Sequence, residues 1–223
     1  MGHKVNPKGY RLGPLYTWSS LWFADDRQYK HLLLLDIKLR KALMLKLKNA
    51  GIANIELERS INKLKIILHV SRPGVVIGRG GSGLEDLKKY IENLLLRNDV
   101  LKRPDEKTEQ GKLKIEVSVE PVKDPNLNAY LVATNIADQI AKRLPHKRVC
   151  LQALDRVTSS GAQGVKIILA GRISGAEIAR REKFQTGSVP LSTIREEIDY
   201  ASVPSLTKSG YVGVKVWIYR KHS

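Results

Sequence analysis

Between residues 26 and 49 apolar side chains recur at helical spacing. Leu32, Leu33, Ile37, Leu43, Met44 and Leu47 predict a helix with a broad apolar stripe, and Gly51 is placed to end it in a left-handed turn. The period then drops to two. Residues 53–60 and 63–70 predict two short strands around Asn62. In the second, Leu64, Ile66, Leu68 and Val70 alternate with Lys65, Ile67 and His69, the pattern of a strand with one wetter face, as in antiparallel sheets. Helical spacing returns at Leu84, Leu87, Ile91, Leu94 and Leu95, with Ser82 and Glu85 spaced as a capping box. The charged, proline-broken stretch 97–112 predicts a mobile loop, and 113–119 another strand.

A boundary follows at "PVKDPN", where Asp124-Pro125 is a helix-start signal. Residues 126–143 predict a helix that buries Ala133, Ile136, Ala137, Ile140 and Leu144. After Pro145, residues 146–160 predict a second, burying Val149, Cys150, Ala153, Leu154 and Val157. Only strand signals remain: 165–171, around 178–186, 193–201 and 212–219, the last with Val212, Val214, Val216 and Ile218 on one side. The chain therefore divides into an arm over 1–25, a first domain over 26–122 and a second over 123–223.

Charge narrows the partners. Lys and Arg number 39 against 22 Asp and Glu, a net charge of +17, which points to nucleic acid, with an anionic membrane surface as the plainer rival. The longest apolar run, "LLLLDIKL", is interrupted by Asp36 and Lys38 and is too short to span a bilayer, and the first residues lack the apolar core of a signal peptide. A single cysteine, Cys150, permits neither an internal disulfide nor a multi-cysteine metal site. These features predict a cytoplasmic chain with no membrane partner. In the arm, Lys4, Lys8 and Arg11 interleave with Tyr10, Tyr16, Trp18, Trp22 and Phe23; that mixture suits phosphate pairing and base stacking, and equally suits an arm stapled to its own domain.

The segment "RPGVVIGRGGSGLEDL", residues 72–87, poses the sharpest question, because its glycines leave the backbone bare. Gly78-x-Gly80-x-x-Gly83 matches a dinucleotide fingerprint, which would need a buried strand running directly into the first glycine. Pro73-Gly74 interrupts that strand, no acidic residue follows at the required distance, and no Gly-Lys-Ser/Thr closes a P-loop. The second reading is a KH-type Gly-x-x-Gly loop at Gly78-Arg79-Gly80-Gly81, joining two short helices so that a sugar-phosphate chain can pass over bare backbone. Arg79 adds charge at the tip, the following helix offers unpaired N–H groups, and Val76 and Ile77 would floor the groove. A turn that binds nothing is the plainer alternative. The order helix, strand, strand, helix, loop, helix, strand is that of the second type of KH fold. The predicted class is thus α+β: a KH type-two domain with helices on one face of a three-stranded sheet, then an α/β domain of two helices on a mainly antiparallel four-stranded sheet.

Four stretches together resemble the bacterial-type small-subunit ribosomal protein S-three family over essentially the whole chain: "MGHKVNPKGYRLG" with "WSSLWFA", "RPGVVIGRGGSGLEDL", "GRISGAEIARRE" with "VPLSTIREEIDYA", and "GYVGVKVWIYR". The resemblance implies a place in the head of the small subunit, small-subunit rRNA as the main ligand, mRNA passing close where it enters its channel, and contacts with the head proteins S-ten and S-fourteen. It implies that basic residues on a second-domain helix line that opening and help unwind messages. Lys147 and Arg148 match two such positions, whereas Leu151 replaces a further basic residue and Gln152 and Asp155 dilute the charge. Arg79-Gly80 stands where many members carry two lysines, and the loop 97–112 is longer than usual.

The residues expected to meet RNA are therefore Gly78, Arg79, Gly80, Gly81, Lys147, Arg148, Arg172, Arg180, Arg181, Lys4, Lys8 and Arg11. Arg172, Arg180 and Arg181 sit beside Gly171 and Gly175, where bare backbone and arginines suit phosphate, although Glu177 and Glu182 lie near enough to pair with them. His146 and Cys150 have a spacing that could hold zinc, but two more ligands would be needed and the cysteine falls on the apolar face. No Ser-His-Asp order or carboxylate pair suggests catalysis, so no enzyme, cofactor, metal or small-molecule substrate is expected. The alternative functions are a free-standing KH regulator and a nucleotide-dependent enzyme using the glycine loop.

Overall fold

The computed structural model describes residues 4–60, 63–97 and 114–220. The described chain forms two compact units: residues 18–123, and the residues up to Thr17 together with those from Asp124 onward. Each has its own hydrophobic core.

In the first unit the two-residue strand β1 (Ser20–Leu21) leads to helix α2 (Asp26–Lys46), which a short 3-10 turn at Lys48–Ala50 closes. Strands β2 (Ile52–Ser60) and β3 (Lys63–Val70) pair antiparallel, with Ile55 opposite Leu68 and Leu57 opposite Ile66. Helices α3 (Pro73–Ile77) and α4 (Ser82–Arg97) follow, then β4 (Lys114–Pro121), which returns parallel to β3. The strand order is β1-β2-β3-β4. The expected antiparallel character therefore holds for β2–β3 alone, because a helical crossover between β3 and β4 delivers the last strand in the same direction. The core is layered from Leu35, Leu39 and Leu43 of α2, Leu64, Ile66 and Leu68 of β3, and Leu87, Ile91 and Leu95 of α4.

The buried face of α2 differs from the predicted stripe. Leu33 and Ile37 are about two-fifths exposed, while Leu35, Leu39 and Leu43 go inward. Leucines occupy every side of this helix, so hydrophobicity alone does not fix its rotation. Asp36 does. It is fully buried, accepts from Arg59 Nε at 2.9 Å and from Trp22 Nε1 at 2.8 Å, and turns the adjacent leucines to the sheet. A buried carboxylate without such partners would cost several kcal/mol, on the order of the desolvation penalty of one ion.

In the second unit the short helix α1 (Pro7–Tyr10) lies in the arm. Helices α5 (Ala129–Ala141) and α6 (His146–Ser159) cover one face of an antiparallel sheet of order β6-β5-β8-β7, built from β5 (Gly164–Gly171), β6 (Arg180–Gly187), β7 (Glu197–Thr207) and β8 (Gly210–Arg220). Val165, Ile167 and Leu169 of β5 and Val212, Val214, Val216 and Ile218 of β8 point to the helices, as their alternation predicts. The start of α5 is set differently from expectation. Asp124-Pro125 begins a 3-10 turn, and Asn128 caps the helix, its Oδ1 accepting from Tyr130 N and Leu131 N at 3.0 and 3.2 Å. Asp199 Oδ2 accepts from Ala129 N at 2.7 Å, so β7 also holds that end. Leu144 is half-exposed because the chain leaves the helix at Arg143, whose φ is +64°.

Candidate nucleic-acid interface

The glycine segment folds as helix, turn, helix. Strand β3 ends at Val70, and α3 stands between it and the glycines. No strand runs into Gly78, which removes the geometry a dinucleotide fingerprint requires. The glycines divide by role. Gly78 closes α3 through its N–H to Gly74 O at 3.0 Å and lies against Gly83, where a Cβ would meet Gly83 N at 3.0 Å. Gly83, not among the expected site residues, is needed where α4 crosses α3: a Cβ there would sit 2.6 Å from Val76 O. Gly80 and Gly81 adopt φ of +62° and +85°, and a Cβ on either would meet nothing within 4 Å. They are the open part of the loop, where another backbone can approach. Arg79 is exposed between them and Gly78, with no ion pair among the described residues. Val76 is buried beneath, whereas Ile77 is 39% exposed and flanks the groove instead of flooring it. Ser82 lies inside the helical region and its Oγ donates to Arg79 O at 3.1 Å, so the expected capping box does not form.

In the second unit four cations gather at one bend. Lys142 and Arg143 follow α5, and Lys147 and Arg148 occupy the first turn of α6; all four are exposed, and none has a carboxylate partner among the described residues. A helix N-terminus carries partial positive charge, so cations there are locally unfavourable. Leu151, one turn on, is 54% exposed, and Gln152 and Asp155 share the solvent side.

His146, at the start of α6, joins residues that sequence spacing could not connect. Its Nδ1 lies 2.8 Å from Ser174 Oγ and its Nε2 lies 2.9 Å from Glu182 Oε2; Glu182 also pairs with Arg180 Nε at 3.0 Å. Ser174 has φ +56° in a tight turn. The chain of contacts resembles a hydrolytic triad, but the turn's nearby N–H groups are spent internally, Gly175 N on Arg172 O and Ala176 N on Ile173 O, both at 3.3 Å. Neither of these N–H groups is therefore free to serve the serine as an oxyanion donor. The relay instead pins the first turn of α6 to β6, holding Lys147 and Arg148 in place. Both nitrogens of His146 are engaged and Cys150 is fully buried, so the pair does not form the zinc site that its spacing allowed.

The remaining expected residues fare unequally. Arg11 is corrected: it is fully buried, and its guanidinium donates to the carbonyls of Pro7, Pro190, Leu191, Thr193 and Glu196 at 2.8–3.2 Å. It fastens the arm to the loop before β7 and faces no solvent. Lys8 is half-exposed and pairs with Asp199 at 2.7 Å. Arg172 uses Nε on Ala176 O at 2.8 Å while staying exposed. Arg180 is balanced by Glu182. Arg181, its neighbour on a strand, points to the opposite side of the sheet and is exposed, as is Lys4. The expected loop 97–112 lies outside the described residues, apart from the backbone of Arg97.

Two helices joined by an open glycine turn and packed on a β2-β3-β4 sheet, with the last strand parallel to its neighbour, define a KH-fold protein of the second type. Comparison with known proteins agrees: a family model for the KH domain matches residues 38–127, and one described as "Ribosomal protein S3, C-terminal domain" matches 136–218. Small ribosomal subunit protein uS3 of Carboxydothermus hydrogenoformans is 44% identical over 220 residues, covering 99% of this chain and 92% of the relative. Its counterparts in Caldicellulosiruptor saccharolyticus and Persephonella marina are each 43% identical over the same share of this chain, and over 92% and 90% of their own lengths. The chain belongs to the uS3 family of small ribosomal subunit proteins.

Proposed function

We propose that this chain is a structural constituent of the small ribosomal subunit, seated in its head, where it holds small-subunit rRNA and lines the opening through which mRNA enters. Its work is electrostatic and geometric, and it performs no catalysis. The observation that carries this reading is the bend Lys142–Arg148, where four exposed cations have no carboxylate partner among the described residues and two of them, Lys147 and Arg148, stand in the first turn of α6, which His146 fastens to Ser174 and Glu182. Phosphates supply the charge this bend lacks. At the KH loop the open backbone of Gly80 and Gly81, with Arg79 beside it, admits a single strand's sugar-phosphate chain. Arg181 and Lys4 add exposed charge, and Arg172 and Arg180 serve chiefly to shape the turn beside them. The head proteins S-ten and S-fourteen are the protein neighbours on this reading.

Sedimentation of a tagged chain from a cell extract tests it. Comigration with the small-subunit peak, resistant to washing at moderate salt, is the expected result. A chain that stays in light fractions would instead be a free-standing KH regulator.

A further inference from the structure

The sheet of the second unit has two faces, and the helices cover only one. On the other, the pairing register sets Lys183, Ile168 and Lys215 side by side across β6, β5 and β8, and Lys166 beside Trp217 in the next row. Lys183 and Lys215 are exposed, and Lys166 Nζ lies 5.3 Å from the centre of the Trp217 ring. On the other side of the Lys183 row, Arg181 is followed by Ala170 and Gly213, which leave a low floor between the cations and the exposed ring of Tyr211. The Lys166 ammonium is easier to deprotonate than usual, because burial and the charges of Lys183, Lys4 and Arg181 all disfavour it. Glu196, in the loop before β7, accepts from Tyr219 Oη at 2.6 Å and is so engaged at the Tyr219 end of the sheet.

From this array we infer that the helix-free face of the second sheet, where Ile168 and Trp217 are buried with Ile198 and the lysines stand exposed or half-exposed around them, is an additional RNA-backbone surface centred on Lys166, Lys183 and Lys215. It deepens the proposed function by naming a contact surface separate from the KH loop and the α6 bend. The cations do not converge on one point, as they would around a single anion. They spread over three strands, with Lys183 and Lys215 two strand spacings apart, roughly 10 Å. A phosphodiester chain meets such an array, and the bare Ala170–Gly213 floor lets it come close. Among the described residues none of Lys166, Lys183 and Lys215 has an ion-pair partner, which suits a polyanion.

The test is salt-dependent binding of the full chain to a small-subunit rRNA transcript, comparing wild type with the Lys183→Gln/Lys215→Gln double variant. Both side chains are exposed, so the fold is expected to persist, and circular dichroism checks it. The inference predicts that the slope of log affinity against log salt becomes shallower by about 1.5, the loss of two phosphate contacts. An unchanged slope in the variant, with wild type still binding, overturns the inference and leaves the proposed function standing. Wild type that fails to bind overturns both. A variant that keeps its RNA slope but loses binding to polyglutamate would assign the face to an acidic polypeptide, and would overturn the inference as well.

Discussion

Arg11 gives the sharpest stability prediction, because its role reverses what its charge suggests. The perturbation is Arg11→Lys, which keeps the charge but replaces a planar fork of five N–H donors by a compact ammonium with three. Five carbonyls receive the guanidinium at 2.8–3.2 Å, so at least two lose their partner. Hydrogen bonds to a charged group contribute about 1.5–3 kcal/mol each, which gives about 3–6 kcal/mol. Leu191 and Thr193 are exposed, and water entering at that edge offsets part of the loss; the expected cost is therefore about 3 kcal/mol. For a unit of this size that lowers Tm by roughly 10 °C. Differential scanning calorimetry measures the shift, and amide hydrogen exchange assigns it: protection falls in β7 and β8 and is unchanged in α4. RNA binding separates the two roles. Arg11→Lys leaves the salt slope of RNA affinity unaltered, and so does Arg11→Met, since this side chain reaches no phosphate. A Tm shift under about 2 °C for both variants, with a salt slope reduced by about 0.7–0.9 in Arg11→Met, would refute the reasoning.

Other outcomes follow from the same geometry. Gly83→Ala forces a Cβ to within 2.6 Å of Val76 O and should destabilise the first unit by about 2 kcal/mol or more, whereas Gly80→Ala, which meets open space, costs about 1 kcal/mol for its positive φ; urea unfolding compares them. Arg79→Asp with Gly80→Asp should weaken single-stranded RNA binding and leave the unfolding transition within about 1 kcal/mol of wild type, because aspartate tolerates the left-handed region better than most residues. Unchanged affinity would make the loop a mere turn. Burial, reinforced by the charge of Glu182, pushes the Cys150 thiol up to about 12. The folded chain keeps this proton while an unfolded thiol releases it from about pH 8.5, so the contribution to stability is complete below that pH and is lost as pH rises towards 12. Cys150 should accordingly resist iodoacetamide at pH 8.5 until denaturant is added, and prompt labelling of the native chain would contradict its burial.

Much of the second unit was legible in the sequence, because β5 and β8 alternate cleanly and α5 and α6 each carry a single apolar face. Helix α2 was harder. Its leucines surround the axis, and only the partnership of Asp36 with Arg59 and Trp22 fixes which of them turn inward. The parallel return of β4 was hidden because alternation does not report strand direction. At the site, spacing marks Gly80 and Gly81 as the loop and Gly83 only as part of a dinucleotide-type pattern; the need for Gly83 arises where two helices cross, and that crossing is a tertiary fact. Likewise, charge marked Arg11 for RNA, since nothing local announces a loop some 180 residues away whose carbonyls converge on it. Arg143 could have been found. Lys142-Arg143 and Lys147-Arg148 flank Leu144-Pro145-His146 in a single basic run, and that run marks the whole bend.

Crosslinking in intact small subunits tests the account's central claim most directly, with a photoreactive group placed in turn at Arg79, Lys147 and Arg148. The account predicts adducts to rRNA or mRNA nucleotides from all three positions, abolished by prior ribonuclease digestion. Adducts to protein alone, or none from a chain confirmed to be in the subunit, would contradict it.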